Sequence, residues 1–196
     1  MKLCIFGSSC ETQHREFYDD AFEVGKLLAK NGITLVFGAG ATGLMGASAE
    51  GASALNGEII GIIPEKLNLP GIATPLCTKL IVTKTMHERK AEMERIADGF
   101  IALPGGFGTF DELMGVTTLK QLDYIDLPIC VMNTLGYYEK MFSQFDAAFE
   151  NGFVEAKFKS LIYLAKTPKD AIGYCLNYKK ASQPPKMAEA LITELI

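Results

Sequence analysis

The chain has 196 residues, 48% of them hydrophobic and 21% charged, and its formal net charge is −4. This length and ordinary globular composition predict one domain with a substantial core. The slight acidic excess, with no run of five like charges, argues against a nucleic-acid or anionic-membrane surface.

The amino terminus and the cysteines predict the compartment. Residues 1–7 are too few and too glycine-broken for a signal peptide, and no apolar stretch approaches a membrane span of about 18 residues. The scattered cysteines form no CxxC pair, so we expect a cytoplasmic protein without disulfides. Cys4, Cys77 and Cys130 are predicted to be buried thiols. A catalytic cysteine is not expected, because neither His14 nor His87 stands in a suitable arrangement.

Short apolar runs alternate with helical patterns along the chain. The predicted strands cover 2–6, 33–37, 58–63, 79–82, 99–103, 128–132 and 160–164. The predicted helices cover 13–30, 44–55, 87–96, 107–122, 137–150 and 168–178. This alternation is typical of an α/β single domain over 1–180, with a mainly parallel sheet of about seven strands and helices on both faces. Residues 181–196 are predicted to be a C-terminal tail, with a peripheral helix at 187–196.

Four loops leave predicted strands at the carboxyl edge of the sheet, where ligands of open parallel sheets bind. These loops are 7–12, 38–43, 83–88 and 104–109. We therefore expect them to converge, although they are far apart in sequence. In the first loop, Ser8 and Ser9 are turn-forming residues that can also offer hydroxyl donors to a ligand.

The loop Gly38-Ala-Gly-Ala-Thr-Gly43 matches the pattern GxGxxG after a strand and before a helix. A dinucleotide site also needs an acid at the carboxyl end of the next strand, but Glu58 begins that strand at the opposite edge. A Walker loop is excluded, because Leu44-Met45 stands where Lys-Ser/Thr is required. Two interpretations fit better: close approach of a mononucleotide near Gly40, or tight packing.

The helix start Met86-His-Glu-Arg-Lys-Ala-Glu-Met93 is charged. It can be an ordinary solvated helix face with weak exposed ion pairs. Its place after a strand also allows Arg89 to face Glu112 across a pocket, with its planar fork available to phosphate, ribose or base.

Residues 104–112 read Pro-Gly-Gly-Phe-Gly-Thr-Phe-Asp-Glu and follow the apolar run 99–103. This order predicts a strand, a glycine turn and a helix beginning near Phe107. Amides of such a turn and helix N-terminus suit a phosphate. Glu112 would repel that phosphate, so binding alone does not explain it. A carboxylate beside a sugar phosphate can assist cleavage of a glycosidic bond.

Together these motifs resemble the Lonely Guy family of cytokinin-activating phosphoribohydrolases, which are often mislabelled as lysine decarboxylases. The match rests on the stretches 86–93 and 103–113, with support from Phe6-Gly-Ser-Ser9 and Gly43-Leu-Met-Gly46. The resemblance runs from about residue 2 to residue 178. Nothing in the residues indicates a pyridoxal Schiff base.

The resemblance implies a Rossmann-like homodimer that hydrolyses the N-glycosidic bond of prenylated adenosine monophosphates, giving free base and ribose 5-phosphate. It implies Arg89 and Glu112 as catalytic residues, with no metal and no cofactor. The nucleoside monophosphate would be the partner molecule. Expected substrate-binding residues are Ser9, Gly40, Lys90, Gly105, Gly106, Phe107, Gly108, Thr109, Phe110, Asp111 and Thr118. Thr118 can equally be a helical threonine that faces core or solvent.

The chain departs from plant members at Gly71, where the family often has a substrate-contacting glutamate. This departure affects the expected recognition of the base and leaves the cleavage residues in place. Two other functions remain open: an AMP nucleosidase in purine salvage, and a non-catalytic carrier of a nucleotide or cofactor on the same scaffold.

Overall fold

A computed structural model describes residues 1–12 and 14–179. The strands are β1 (Lys2–Phe6), β2 (Thr34–Phe37), β3 (Ile59–Pro64), β4 (Lys79–Thr83), β5 (Gly99–Ala102), β6 (Ile129–Met132) and β7 (Tyr163–Ala165). The helices are α1 (Arg15–Lys30), α2 (Gly43–Ser53), α3 (Met86–Ile96), α4 (Phe107–Gln121), α5 (Glu139–Glu150) and α6 (Pro168–Leu176). The tail helix predicted at 187–196, and residue 13 of the first predicted helix, lie outside the described residues.

The seven strands form one sheet in the order β4-β3-β2-β1-β5-β6-β7, and every strand pair in it is parallel. The α/β, Rossmann-like prediction is therefore confirmed. The order reverses at β1, which lies between β2 and β5. In open parallel sheets, ligands bind at such a switch point, outside the carboxyl ends of the strands.

The two faces of the sheet bury separate apolar layers. Side chains of β1 alternate between them, with Leu3 and Ile5 in one layer and Cys4 and Phe6 in the other. Helices α1, α2 and α6 cover the first layer, whereas α3, α4 and the region of α5 cover the second. No helix within the described residues combines the length and apolar character of a membrane span.

Most predicted boundaries differ from the observed ones by one or two residues, as in the second helix, which is predicted at 44–55 and observed at Gly43–Ser53. The seventh strand, predicted at 160–164, is shorter and begins later, at Tyr163–Ala165, and a 3-10 segment at Ala156–Ser160 precedes it. The fifth helix begins at Glu139 rather than Tyr137, after a 3-10 turn at Thr134–Gly136. In that turn Leu135 has a φ of 53° and Gly136 one of 74°, which interrupts the helical path. Helix α6 ends at Leu176 rather than 178.

Candidate active site

A cleft of about 640 Å³ lies at the carboxyl ends of β1 and β5. Loop 7–12, the start of α2, helix α3, loop 104–109 and the loop after β6 all contribute to its wall. The lining residues are Gly7, Ser8, Ser9, Cys10, Thr12, Phe17, Leu44, Met45, Arg89, Pro104, Gly105, Gly106, Phe107, Gly108, Thr109, Glu112 and Tyr137. Two of the four predicted loops, 7–12 and 104–109, line this cleft.

Arg89 and Glu112 form the buried ion pair of this cleft. Arg89 Nη1 lies 2.7 Å from Glu112 Oε1, and the two side chains are only 11% and 12% exposed. The guanidinium also donates from Nε to the carbonyl oxygen of Ile62 at 3.1 Å. Arg89 is therefore fixed by the end of β3 while its fork faces the carboxylate, as the sequence predicted.

Burial raises the pKa of Glu112, and the neighbouring Arg89 partly reverses that increase. The carboxylate is desolvated because the cleft floor covers it, yet the guanidinium favours its charged form. The Cys4 thiol is affected by the same charges. Burial is the main cause that raises its pKa, and the negative charge of Glu112 raises it further. A buried carboxylate with its own cation is the kind of group that functional sites use.

Helix α4 begins beside the pair. Gly106 is its N-cap residue, and the first intrahelical bond runs from the Phe110 N–H to the Gly106 carbonyl oxygen. The N–H groups of the first helical turn therefore have no intrahelical acceptor. The side chain of Phe107 is 94% exposed, so the start of the helix is open to a ligand. Such a terminus is suited to a phosphate.

The first loop is attached to this turn by its backbone. The Ser8 N–H donates to the Pro104 carbonyl oxygen at 3.1 Å, and the Ser8 carbonyl oxygen accepts from the Leu44 N–H at 2.8 Å. Ser8 thereby links the amino ends of α2 and α4. Ser9, one of the predicted contacts, lines the cleft.

The glycine loop 38–43 serves packing rather than lining the cleft. A Cβ on Gly38 would lie 1.9 Å from Arg89 Nη2, and one on Gly40 would lie 2.7 Å from Met45 Cε. Gly43 has a φ of 62° and starts α2 against the backbone of residues 8–10. Of the two interpretations of this loop, tight packing fits its position. Gly40 itself is not among the residues lining the cleft.

Four other predicted contacts lie outside the cleft, on the outer surface of α3 and α4. Lys90 Nζ is 2.9 Å from Asp111 Oδ1 in an ion pair. Phe110, Asp111 and Thr118 border a shallow surface depression, and the Thr118 hydroxyl donates to the Met114 carbonyl oxygen at 2.9 Å. Gly71 has a φ of 82° in an exposed loop and does not line the cleft.

Sequence reasoning missed Phe17 and Tyr137 on the cleft wall. Their rings meet edge to face, with centroids 6.0 Å apart. Tyr137 follows β6, whose loop also leaves the carboxyl edge of the sheet, so topology could have identified it. Cys77 is only half-buried, whereas Cys4 and Cys130 are fully buried as predicted. Among the described residues, no three His, Cys, Asp or Glu side chains lie together in the manner of a metal site.

Comparison with known proteins gives matches over most of the chain. A family model described as "Possible lysine decarboxylase" matches residues 45–175. A probable cytokinin riboside 5'-monophosphate phosphoribohydrolase, LOGL2 of Oryza sativa subsp. japonica, is 39% identical over 87% of this chain and 70% of its own length. The cytokinin riboside 5'-monophosphate phosphoribohydrolase LOG4 of Arabidopsis thaliana is 34% identical over 99% of this chain and 87% of its own.

Among solved structures, the molybdenum cofactor carrier protein of Chlamydomonas reinhardtii superposes with a TM-score of 0.66. It is 22% identical, over 88% of this chain and 93% of that one. At this identity the likeness shows a common fold.

Proposed function

The chain belongs to the Lonely Guy family of phosphoribohydrolases and is an N-glycosyl hydrolase, and we propose that its substrate is an adenosine 5'-monophosphate. The products are a free adenine-type base and ribose 5-phosphate. The observation that carries this proposal is the buried Arg89–Glu112 pair beside the open N-terminus of α4. The N-terminus of α4 suits a phosphate, and the Glu112 carboxylate suits the positive charge that develops as a glycosidic bond breaks.

We assign the 5'-phosphate to the amides of the turn and first helical turn at 106–109. Binding there sets the position of the sugar relative to Glu112. As the bond between C1' and the base nitrogen lengthens, positive charge develops on the ribose. The Glu112 carboxylate stabilises this charge or removes a proton from the attacking water. The water oxygen then bonds to C1' and loses one proton, while the base takes the bonding electrons and one proton, which gives ribose 5-phosphate and the neutral free base.

Arg89 has two roles in this scheme. Its charge opposes the effect of burial on the Glu112 pKa and so favours the ionised form of the carboxylate. Its fork also offers donors to the phosphate or the ribose hydroxyls. Because Nε is already bonded to the Ile62 carbonyl oxygen, the guanidinium does not need to reorganise as the reaction proceeds.

The names of the relatives favour a prenylated base, which would make the reaction a cytokinin activation. Turnover of AMP itself, as in purine salvage, uses the same residues and differs only in how the base is accommodated. The second candidate function is a non-catalytic carrier, and the cofactor carriers of the same fold favour it. A carrier, however, gains nothing from a carboxylate beside its anion site.

We further propose a homodimer. Lys90, Asp111 and Thr118, the contacts that the family resemblance implied, lie on a surface of α3 and α4 that faces away from the cleft of their own chain. Substrate contacts by these residues would require the cleft of a second copy.

The scattered free cysteines also support our proposal of a cytoplasmic protein.

The test is release of free base from AMP and from isopentenyladenosine monophosphate, with Glu112→Gln beside the native protein. We expect release by the native protein and at least an approximately hundredfold lower kcat in the variant. Glu92→Gln is the matched control, because Glu92 is a carboxylate on α3 that pairs with Arg95 at the surface. The ratio of kcat/KM for the two nucleotides decides between hormone activation and salvage. Tight AMP binding without base release would favour the carrier.

A further inference from the structure

Two consecutive tyrosines hold the strand and turn that lead into α4. The Tyr138 hydroxyl donates to the Leu103 carbonyl oxygen at 2.7 Å, at the end of the β5 run. The Tyr137 hydroxyl donates to the carbonyl oxygen of Gly105, the first glycine of the turn. Tyr138 is fully buried, whereas Tyr137 is 40% exposed and lines the cleft. The two hydroxyls therefore act on the same segment from different environments.

The Gly105 carbonyl oxygen belongs to the Gly105–Gly106 peptide. A trans peptide is planar, and its C=O and N–H point in opposite directions. An oxygen held by Tyr137 therefore directs the Gly106 N–H away from Tyr137. Gly106 is the N-cap residue of α4, so this N–H lies next to the donors of the first helical turn.

This peptide can rotate more readily than most, because it joins two glycines. A rotation of the peptide changes mainly ψ of Gly105 and φ of Gly106, and a glycine tolerates such φ values without a Cβ penalty. A Cβ on Gly106 would contact nothing within 4 Å, so packing does not fix the peptide on that side. After rotation, a carbonyl oxygen would take the place of the N–H and would repel an anion.

Tyr137 itself is firmly positioned. Its ring contacts Phe17 of α1 and Tyr138, with centroids 6.0 Å and 5.1 Å away. The turn before it holds Leu135 at a φ of 53°, an uncommon conformation for a residue with a side chain. Such strain persists only where the surroundings fix the backbone. Here the Asn133 side chain accepts from the Tyr138 N–H at 2.9 Å and supports the turn.

We propose that Tyr137 is a positioning residue for the substrate phosphate. Its hydroxyl holds the Gly105–Gly106 peptide in the orientation that presents the Gly106 N–H, and not a carbonyl oxygen, beside the first turn of α4. The inference rests on the proposed function, since it assumes that this turn receives the 5'-phosphate. Tyr137 does not act on the glycosidic bond, so it affects binding of phosphate-bearing ligands and not the bond-breaking step.

The experiment compares Tyr137→Phe with Tyr138→Phe and uses inorganic phosphate, AMP and adenosine as ligands. For Tyr137→Phe, KM for AMP and the inhibition constant of inorganic phosphate should both rise, by about fivefold to tenfold. Its kcat and the dissociation constant of adenosine, measured by calorimetry, should stay within about twofold of native. Tyr138→Phe removes a hydroxyl that also bonds a carbonyl of this segment, but not one in the glycine turn. Tyr138→Phe should lower the melting temperature and leave the inhibition constant of inorganic phosphate unchanged.

Two results would overturn the inference. One is native affinity for phosphate and AMP in Tyr137→Phe. The other is an equal loss for adenosine and AMP, which would indicate a role of the ring or the fold. The proposed function fails separately, when the native protein binds AMP but releases no base. In that case weaker phosphate binding by Tyr137→Phe would still support the positioning role.

Discussion

Replacement of Gly38 by alanine tests whether the position of Arg89 controls the active site. A Cβ on Gly38 would lie 1.9 Å from Arg89 Nη2 and 3.1 Å from Arg89 Cζ. Carbon and nitrogen atoms make van der Waals contact at about 3.5 Å, so the guanidinium must shift by roughly 1.5 Å. This shift changes the geometry of the 2.7 Å ion pair between Arg89 and Glu112. Overpacking of this size costs about 1–3 kcal/mol of stability, which a domain of this length can tolerate.

We expect Gly38→Ala to lower kcat/KM by about a hundredfold, because a misplacement of about 1 Å in a preorganised site has that effect. The pH profile gives a second and more specific signal. Arg89 lowers a Glu112 pKa that burial has raised. A displaced guanidinium therefore lets that pKa rise further, and since Glu112 acts as the carboxylate, the acidic limb of kcat should move to higher pH.

The assay is base release from AMP between pH 4 and pH 9, about the pH range in which a perturbed carboxylate titrates. Gly173→Ala is the control, since a Cβ there contacts nothing within 4 Å. Combination of Gly38→Ala with Arg89→Met should add little to Arg89→Met alone, because the two changes act on one interaction. Native kcat/KM with an unchanged acidic limb in Gly38→Ala would refute the reasoning.

Three further predictions concern the cleft and the core. Gly106→Ala should keep the native melting temperature, because the added Cβ would occupy open space. KM for AMP should rise about tenfold, and an unchanged KM would show that this turn does not bind the phosphate. Iodoacetamide should label Cys10 first, because the other four cysteines are buried or half-buried, and AMP should slow the labelling; equal labelling of Cys10→Ser would contradict this. Burial lowers the pKa of Lys120 from 10.5 to about 8, so between these values the unfolded chain binds the proton more strongly. The free energy of unfolding of the native protein, measured relative to that of Lys120→Met, should therefore increase by about 3 kcal/mol as the pH rises from 8 to 10.5. Urea titrations that show the same difference at every pH would contradict this prediction.

The sheet was predictable because its strands are short apolar runs separated by helices with local signals. β6, for example, is fully buried and is a continuous apolar sequence, and β1 is apolar and buried after Lys2. The wrong prediction of the seventh strand has a physical cause. The run 160–164 is apolar enough for a strand, but only Tyr163–Ala165 pairs with β6, and the preceding residues turn in a 3-10 segment. Strand register depends on the neighbouring strand, which local sequence does not contain.

Helical geometry explains why only part of the predicted site lines the cleft. Successive residues of an α-helix are separated by 100° around its axis. Asp111 therefore points about 100° away from Glu112, and Thr118, six positions after Glu112, points about 120° away from it. The same step separates Lys90 from Arg89. The structure accordingly places Lys90 and Asp111 together on the outer surface, where they form their own ion pair. Tyr137 was missed for another reason: it belongs to no motif, and only the topology brings it to the cleft.

The same fold supports carriers, so the distinction between carrier and hydrolase must come from the cleft itself. In a site that holds an anion, an ionised Glu112 opposes binding, and its own pKa shows that the fold already disfavours the charge. Glu112→Gln should therefore change binding and turnover in opposite directions: the dissociation constant of AMP falls several-fold while kcat collapses. A shape-matched amide keeps a hydrogen-bond acceptor for Arg89, so folding should survive. Calorimetry with AMP checks the first effect and base release the second. Weaker AMP binding by Glu112→Gln would show that the carboxylate binds substrate in the ground state, and the assignment of Glu112 to the transition state would then be wrong.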